Sequence, residues 1–243
     1  MGNSSSKFAV KKNAVQNKQV KQQKNQMKKV VWITAASILA VFAIVWISVS
    51  STRSNTNSSS FKYAQLPMLG DSKAPVKVVE LGDFKCPACQ YFSQTIEPQL
   101  KKDYVDKGLI SMYFMNYTFL GPDSVTAAIA AQSVFHQNNA AFWAYYDALY
   151  KYQGKETVQW ATPQFFVQLA EQEKLPIDYN KLQQDIASQA YEKEVKDQNA
   201  LGNQLGVTGT PTLFINGKKV SSDKTMDYQA LKAVLDSAIK DAK

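Results

Sequence analysis

The sequence predicts an α/β domain in which a helical insertion separates a β-α-β unit from a β-β-α unit, behind one N-terminal apolar segment. Three observations lead there. A β-branched apolar run, Val76–Leu81, follows Pro75 and leads within a few residues to Cys86-Pro87-Ala88-Cys89. A second apolar run, Thr212–Ile215, ends in Asn216-Gly217, a strong signal for a two-residue hairpin. Between them, residues 123–205 carry apolar side chains at helical rather than alternating spacing.

Residues 1–29 are polar, rich in Lys and Gln and free of apolar periodicity, which predicts a disordered tail. The opening Met1-Gly2-Asn3-Ser4-Ser5-Ser6 fits the N-myristoylation pattern, which is short and often met by chance. Residues 30–50 are expected to form a transmembrane signal anchor. The uncharged stretch from Val30 to Val49, at about 1.5 Å per residue, matches a hydrocarbon core of about 30 Å. Trp32 and Trp46 lie toward its two ends, where indoles favour the interface. Lys28 and Lys29 precede it and Arg53 follows, which places the tail in the cytoplasm and the longer C-terminal part outside. The stretch is long for a cleaved signal, and Ser48-Val49-Ser50 is a weak cleavage site, so a retained anchor is favoured. Residues 51–62 form the tether: 51–60 are nine Ser, Thr or Asn residues and one Arg. The folded domain is expected over 63–243.

Within it, Val76–Leu81 predicts a buried strand. Pro87–Tyr104 predicts a helix with Phe92, Ile96 and Leu100 on one face and a kink at Pro98. Leu109–Tyr117 predicts a second strand. Helices are expected over Ser124–Lys151, Pro163–Lys174 and Tyr179–Leu205. After the strand Thr212–Ile215, Lys218–Val220 returns as a fourth strand. Tyr228–Lys240 closes the domain as an amphipathic helix with Leu231, Val234, Leu235 and Ala238 on one face.

Charge and cysteine count exclude several functions. The formal net charge is +8, but residues 1–50 hold eight lysines and no acidic residue. The rest balances 20 basic against 20 acidic residues, so no folded basic face for nucleic acid is expected. Two cysteines cannot build a disulfide scaffold, and with the single His136 they cannot supply a four-ligand zinc site, so no metal is expected.

Cys86 and Cys89 point instead to dithiol–disulfide chemistry. Cys86 falls where a strand ends and a helix begins, and Pro87 suits the first helical position. The Cys86 sulfur is then set among unpaired helix N–H groups at the positive end of the dipole, which favours the thiolate. A free cysteine near pKa 8.5 is mostly protonated at pH 7. Lowering it by about two to three units is worth roughly 3–4 kcal/mol. Lys85 adds a positive charge nearby. Cys89, three residues on, reaches Cys86 across one turn and is expected to be the more buried partner. C-x-x-C alone is a moderate signal, and its place between a strand and a helix strengthens it.

The chain resembles the thioredoxin superfamily, and within it the DsbA-like thiol–disulfide oxidoreductases, including the Gram-positive BdbD-type group. The residues that carry the resemblance are Ala74-Pro75-Val76-Lys77-Val78-Val79-Glu80, Phe84-Lys85-Cys86-Pro87-Ala88-Cys89 and Gly206-Val207-Thr208-Gly209-Thr210-Pro211-Thr212. The likeness covers about 63–242. It implies a thioredoxin-like fold with the DsbA-type helical insertion, and a redox-active Cys86–Cys89 disulfide with no other cofactor. It also implies a cis Pro211 facing that disulfide, and a Thr210 backbone that pairs with a passing substrate strand. Glu80, six residues before Cys86, matches the acidic residue that lies beneath the disulfide and assists proton transfer to the buried cysteine. Asp83 is the competing candidate. The best-known oxidases carry His within C-x-x-C, where this chain has Ala88, which leaves the strength of oxidation open.

The function expected from this likeness is oxidation of reduced or unfolded exported proteins, with re-oxidation by a quinone-linked membrane oxidase of the DsbB/BdbC kind. The setting is a single-pass protein of a cell membrane, in a Gram-positive bacterium, with the catalytic domain outside. A reductase or isomerase in the same place is the alternative; a chaperone-like binding module that merely kept the fold is more remote. His136 is read as structural, the aromatic run Phe142–Tyr150 as core, and Lys101 and Lys102 as a solvated face.

Overall fold

Side chains alternate along a strand, and β2 (Val76–Gly82) uses both faces. Val76 and Val78 enter one apolar cluster and Val79 and Leu81 another, on the opposite side of the sheet. Glu80 therefore shares a face with Val76 and Val78. The computed structural model describes residues 61–242. The expected tail, membrane anchor and residues 51–60 of the tether lie outside them. Among the described residues no helix is long and apolar enough to cross a membrane.

The sheet has five strands in the order β1 (Met68–Leu69), β3 (Ile110–Asn116), β2, β4 (Thr212–Ile215) and β5 (Lys218–Lys219). β2 runs parallel to β3 and antiparallel to β4, so it is central. Glu80 stands beside Phe114 on one neighbour and Leu213 on the other. β1 borders β3 and was not anticipated; two residues carry no periodicity to read. β5 pairs antiparallel with β4 across Asn216-Gly217, and stops one residue short of the expected return strand. Both turn residues have positive φ, 48° and 78°, as a type I′ hairpin requires.

α1 spans 87–105. It does not break simply at Pro98. Two π-helical stretches, Phe92–Ile96 and Lys101–Val105, flank the short α-helical piece Glu97–Leu100 that contains the proline. The insertion holds α2 (Pro122–Gln137), α3 (Asn139–Lys151), α4 (Pro163–Gln172), α5 (Tyr179–Ala187) and α6 (Glu192–Gln204). The sequence suggested one helix over Ser124–Lys151, but the chain turns at Asn138. Asn138 is extended, and its side chain caps α3 by accepting from the N–H groups of Ala140 and Ala141. The expected helix Tyr179–Leu205 is likewise two, parted around Gln189, whose φ is 55°. A short α7 (Ser222–Thr225) precedes α8 (Tyr228–Asp241).

One face of the sheet packs on α1, α8 and the insertion, with Tyr145, Tyr146 and Tyr150 of α3 among its fully buried side chains. The other face is smaller and includes Phe61, Tyr113 and Phe214. Phe61, expected in the tether, is buried with its ring 5.3 Å from that of Phe214.

Candidate active site

Cys86 is the residue before the first turn of α1, with extended backbone, and Pro87 follows at the first helical position. Its N–H donates to the Asp83 carbonyl at 2.9 Å. Its own carbonyl accepts from the Gln90 N–H at 3.1 Å and from Gln153 Nε2 at 3.1 Å, while Gln153 Nε2 also donates to the Phe84 carbonyl at 2.8 Å. The loop that presents the sulfur is thus pinned from the end of α3. Cys86 is 8% exposed and Cys89 is fully buried. Both are free thiols here.

The Thr210–Pro211 peptide bond is cis. The turn places the Thr210 carbonyl 3.4 Å from Cys86 Sγ, which donates to it. The Thr210 hydroxyl is buried without a hydrogen-bond partner, and its dipole favours ionised sulfur at both cysteines. Cys86, Pro87, Ala88, Cys89, Thr210 and Pro211, spread over 125 positions, therefore meet at one site.

The two thiols are pushed apart in acidity. A hydrogen bond from Cys89 is the largest influence on Cys86. With Thr210 and the first N–H groups of α1 it outweighs burial, and lowers the Cys86 pKa to about 6. Burial, reinforced by the neighbouring Cys86, pushes Cys89 well above the usual thiol range. At pH 7 Cys86 is about nine-tenths thiolate and Cys89 keeps its proton. That asymmetry suits the accessible sulfur to attack as a thiolate and the buried one to resolve.

Glu80 lies under this pair, fully buried. One carboxyl oxygen accepts from the Tyr146 hydroxyl at 2.8 Å and the other has no partner. Burial first, and the nearby Glu97 carboxyl second, hold Glu80 well above the usual carboxylate range, which favours its neutral, proton-holding form. Its charge would raise the Cys89 pKa further.

The competing candidate Asp83 does other work. Its carboxylate accepts from the N–H groups of Lys85 (2.9 Å), Phe119 (3.0 Å) and Leu120 (3.3 Å) and from the Ser124 hydroxyl (2.6 Å). With four donors it organises the loop. The Lys85 ammonium, expected beside Cys86, is buried and paired with Asp123 at 2.8 Å, which offsets its charge. Lys101 is not on a purely solvated face; it lies 3.0 Å from the buried Glu97 and 3.3 Å from Asp147. His136 pairs with Glu194 at 2.7 Å and stacks on Tyr191, at the far end of α2 from the loop that Asp83 organises. Among the described residues no group of three or more His, Cys, Asp and Glu side chains is arranged for a metal.

Tyr146, Glu97 and Gln153 were not singled out from the sequence. Glu97 had a signal, because it falls on the buried stripe of α1 between Ser93 and Leu100. Tyr146 and Gln153 had none, since their partners are more than 60 positions away.

A buried acid under a C-x-x-C pair at a strand-to-helix junction, faced by a cis-proline turn, is the arrangement of a dithiol exchange enzyme. The family model described as thioredoxin matches residues 64–237. The chain belongs to the thioredoxin family. Within the family it is 34% identical over 209 residues to "Probable disulfide bond formation protein D" of Bacillus anthracis, covering 86% of this chain and 94% of that one. It is 31% identical to "Disulfide bond formation protein D" of Bacillus subtilis, over 72% of this chain and 77% of the relative. Its fold matches the crystal structure of oxidised BdbD from Bacillus subtilis with a TM-score of 0.70 and 30% identity, over 74% and 95% of the two chains. The Chlamydia trachomatis DsbA structure matches at 0.65 and 27%, over 75% and 95%. This family member is a DsbA-like thiol–disulfide oxidoreductase.

Proposed function

We propose that the chain is a membrane-tethered disulfide oxidase. In this reading it introduces disulfides into reduced exported proteins through Cys86 and Cys89. A substrate thiolate attacks Cys86 Sγ of the disulfide, and the Cys89 sulfur leaves and takes a proton from Glu80. A second substrate thiolate attacks the substrate sulfur joined to Cys86, so Cys86 leaves as thiolate and the substrate keeps the disulfide. Two electrons pass to the cysteine pair, one proton ends on Cys89 and one goes to solvent.

The observation that carries this reading is the Cys86 thiolate held at a pKa of about 6. Stabilising it stabilises the reduced form, and a protein stable when reduced is an oxidant. Substrate chains are expected to lie along the Thr210 backbone beside Pro211. The exposed Phe119 and Tyr152 adjoin residues that bond the active-site loop, and offer apolar contact to unfolded clients. Residues 30–50 as anchor place the domain outside the membrane, where disulfides persist. Re-oxidation is assigned to a quinone-linked membrane partner of the DsbB/BdbC kind.

The test is the Cys86–Cys89 reduction potential, by equilibration with glutathione. A value near about −120 mV supports an oxidase; one near about −270 mV overturns it. The second reading, a reductase or isomerase, is favoured by Ala88, which puts no cation inside the C-x-x-C loop where the best-known oxidases carry His. Protease digestion of intact protoplasts tests the topology: cleavage of the domain supports it, protection sinks it.

A further inference from the structure

Glu97 is an expensive residue to bury. Its side chain is inaccessible to solvent, on the inner stripe of α1, and neither carboxyl oxygen has an aligned donor. Four groups face it. Lys101, one turn on, brings its ammonium to 3.0 Å off-axis. From α3 come the Tyr146 hydroxyl and the Asp147 carboxylate, and from β2 comes Glu80. The Tyr146 hydroxyl interacts with both buried carboxyls and donates to Glu80 at 2.8 Å. Exposure rises along this series, from 0% at Glu97 to 27% for the Lys101 side chain and 55% for that of Asp147.

We propose that Glu97, with Tyr146, Lys101 and Asp147, is a proton outlet that connects Glu80 beneath Cys89 to solvent along the seam between α1 and α3. Glu80 is sealed on its own: it is fully buried in a central strand, and a proton given to Cys89 must be replaced. Once the Glu97 carboxyl, unaligned at rest, swings onto the hydroxyl oxygen, Tyr146 passes its proton to Glu80 as it takes one from Glu97. Glu97 then regains a proton from water at the Lys101–Asp147 mouth. One proton moves inward for each Cys89 thiolate released, and none is created or lost. Burial lifts the Glu97 pKa to about 7 against the opposing Lys101 charge, so the group can carry a proton either way near neutrality. Glu97 is a relay residue and touches neither sulfur.

The proposal rests on Glu80 serving Cys89, and the test separates the two. The oxidised full-length protein is reduced by dithiothreitol in quenched flow between about pH 5 and about pH 8, with rates normalised to the attacking thiolate. Wild type is expected to slow as pH rises through about 7, where Glu97 loses its proton. Glu97→Gln and Tyr146→Phe are expected to slow reduction about tenfold and to abolish that limb, and Glu97→Asp to restore part of it. Lys101→Met leaves both buried acids in place and is expected to move the limb to higher pH, because the charge that opposes Glu97 protonation is gone. Reduction of Glu97→Gln with the wild-type rate and profile overturns the outlet. If Glu80→Gln slows reduction while Glu97→Gln does not, the outlet alone fails. If Glu80→Gln has no effect, the reading of Glu80 fails and takes the outlet with it.

Discussion

The Tyr146 hydroxyl on α3 donates to the Glu80 carboxyl on β2 at 2.8 Å, so a helix of the insertion completes the hydrogen bonding of an acid in the central strand. Tyr146 also packs edge-on against Phe84, Phe114 and Tyr150. Tyr146→Phe keeps those rings and removes one donor. It should cost about 1–3 kcal/mol in urea unfolding, because both Glu80 oxygens are then orphaned.

The acidity of Cys86 can be read from the ultraviolet absorbance of its thiolate in the reduced protein. The midpoint should fall at about 6, and Thr210→Val should raise it, since the hydroxyl favours the ionised sulfur. Ala88→His should lower it by supplying a cation inside the C-x-x-C loop. Each unit lowered should raise the reduction potential by about 30 mV, measured against glutathione.

Cys89→Ala should stop exchange half-way. With excess oxidised glutathione the Cys86 thiolate forms a mixed disulfide and releases one glutathione, and no second thiol displaces the other. Mass spectrometry should show one glutathione adduct on Cys89→Ala and none on Cys86→Ala.

Glu97 should make stability fall with rising pH. Burial raises its pKa on folding from the ordinary carboxylate value, about 4.3, to about 7. The contribution of the neutral acid is therefore complete below the unfolded value and is lost as pH climbs through the folded one. Glu97→Gln should flatten unfolding free energy across that window, by up to about 3 kcal/mol.

The buried pair Lys85–Asp123 should be costly to halve. Lys85→Ala leaves an unpaired carboxylate under the active-site loop and should destabilise by about 3–5 kcal/mol. Lys85→Met combined with Asp123→Leu should cost much less. Urea titration of the three variants checks the ordering.

What the sequence disclosed and what it hid follows from distance along the chain. Cys86, Pro87 and Cys89 could be placed because a strand end, a helix-starting proline and the cysteines adjoin one another. The Asn216-Gly217 hairpin was legible for the same reason. Thr210 and Pro211 were placed by resemblance, not by pattern. The partners of Lys85 and Lys101 were missed, because Asp123 and Asp147 lie 38 and 46 positions further along and only the fold brings them together. Two helix breaks were missed because Asn138 and Gln189 interrupt patterns whose apolar period continues across them.

The four donors gathered by Asp83 bear on how the molecule could be cut. Two of them, the Phe119 and Leu120 N–H groups, come from the loop that leads from β3 into the insertion, and a third, Ser124, belongs to its first helix. Lys85 is matched by Asp123 in the same turn. A minimal protein that joins β3 directly to β4 would leave an aspartate and a lysine beside the nucleophile with no counterparts. The insertion is thus no removable module. Homologues that lose it must change residues 83 and 85 in the same step, and a designer transplanting the C-x-x-C loop must carry α2 along with it.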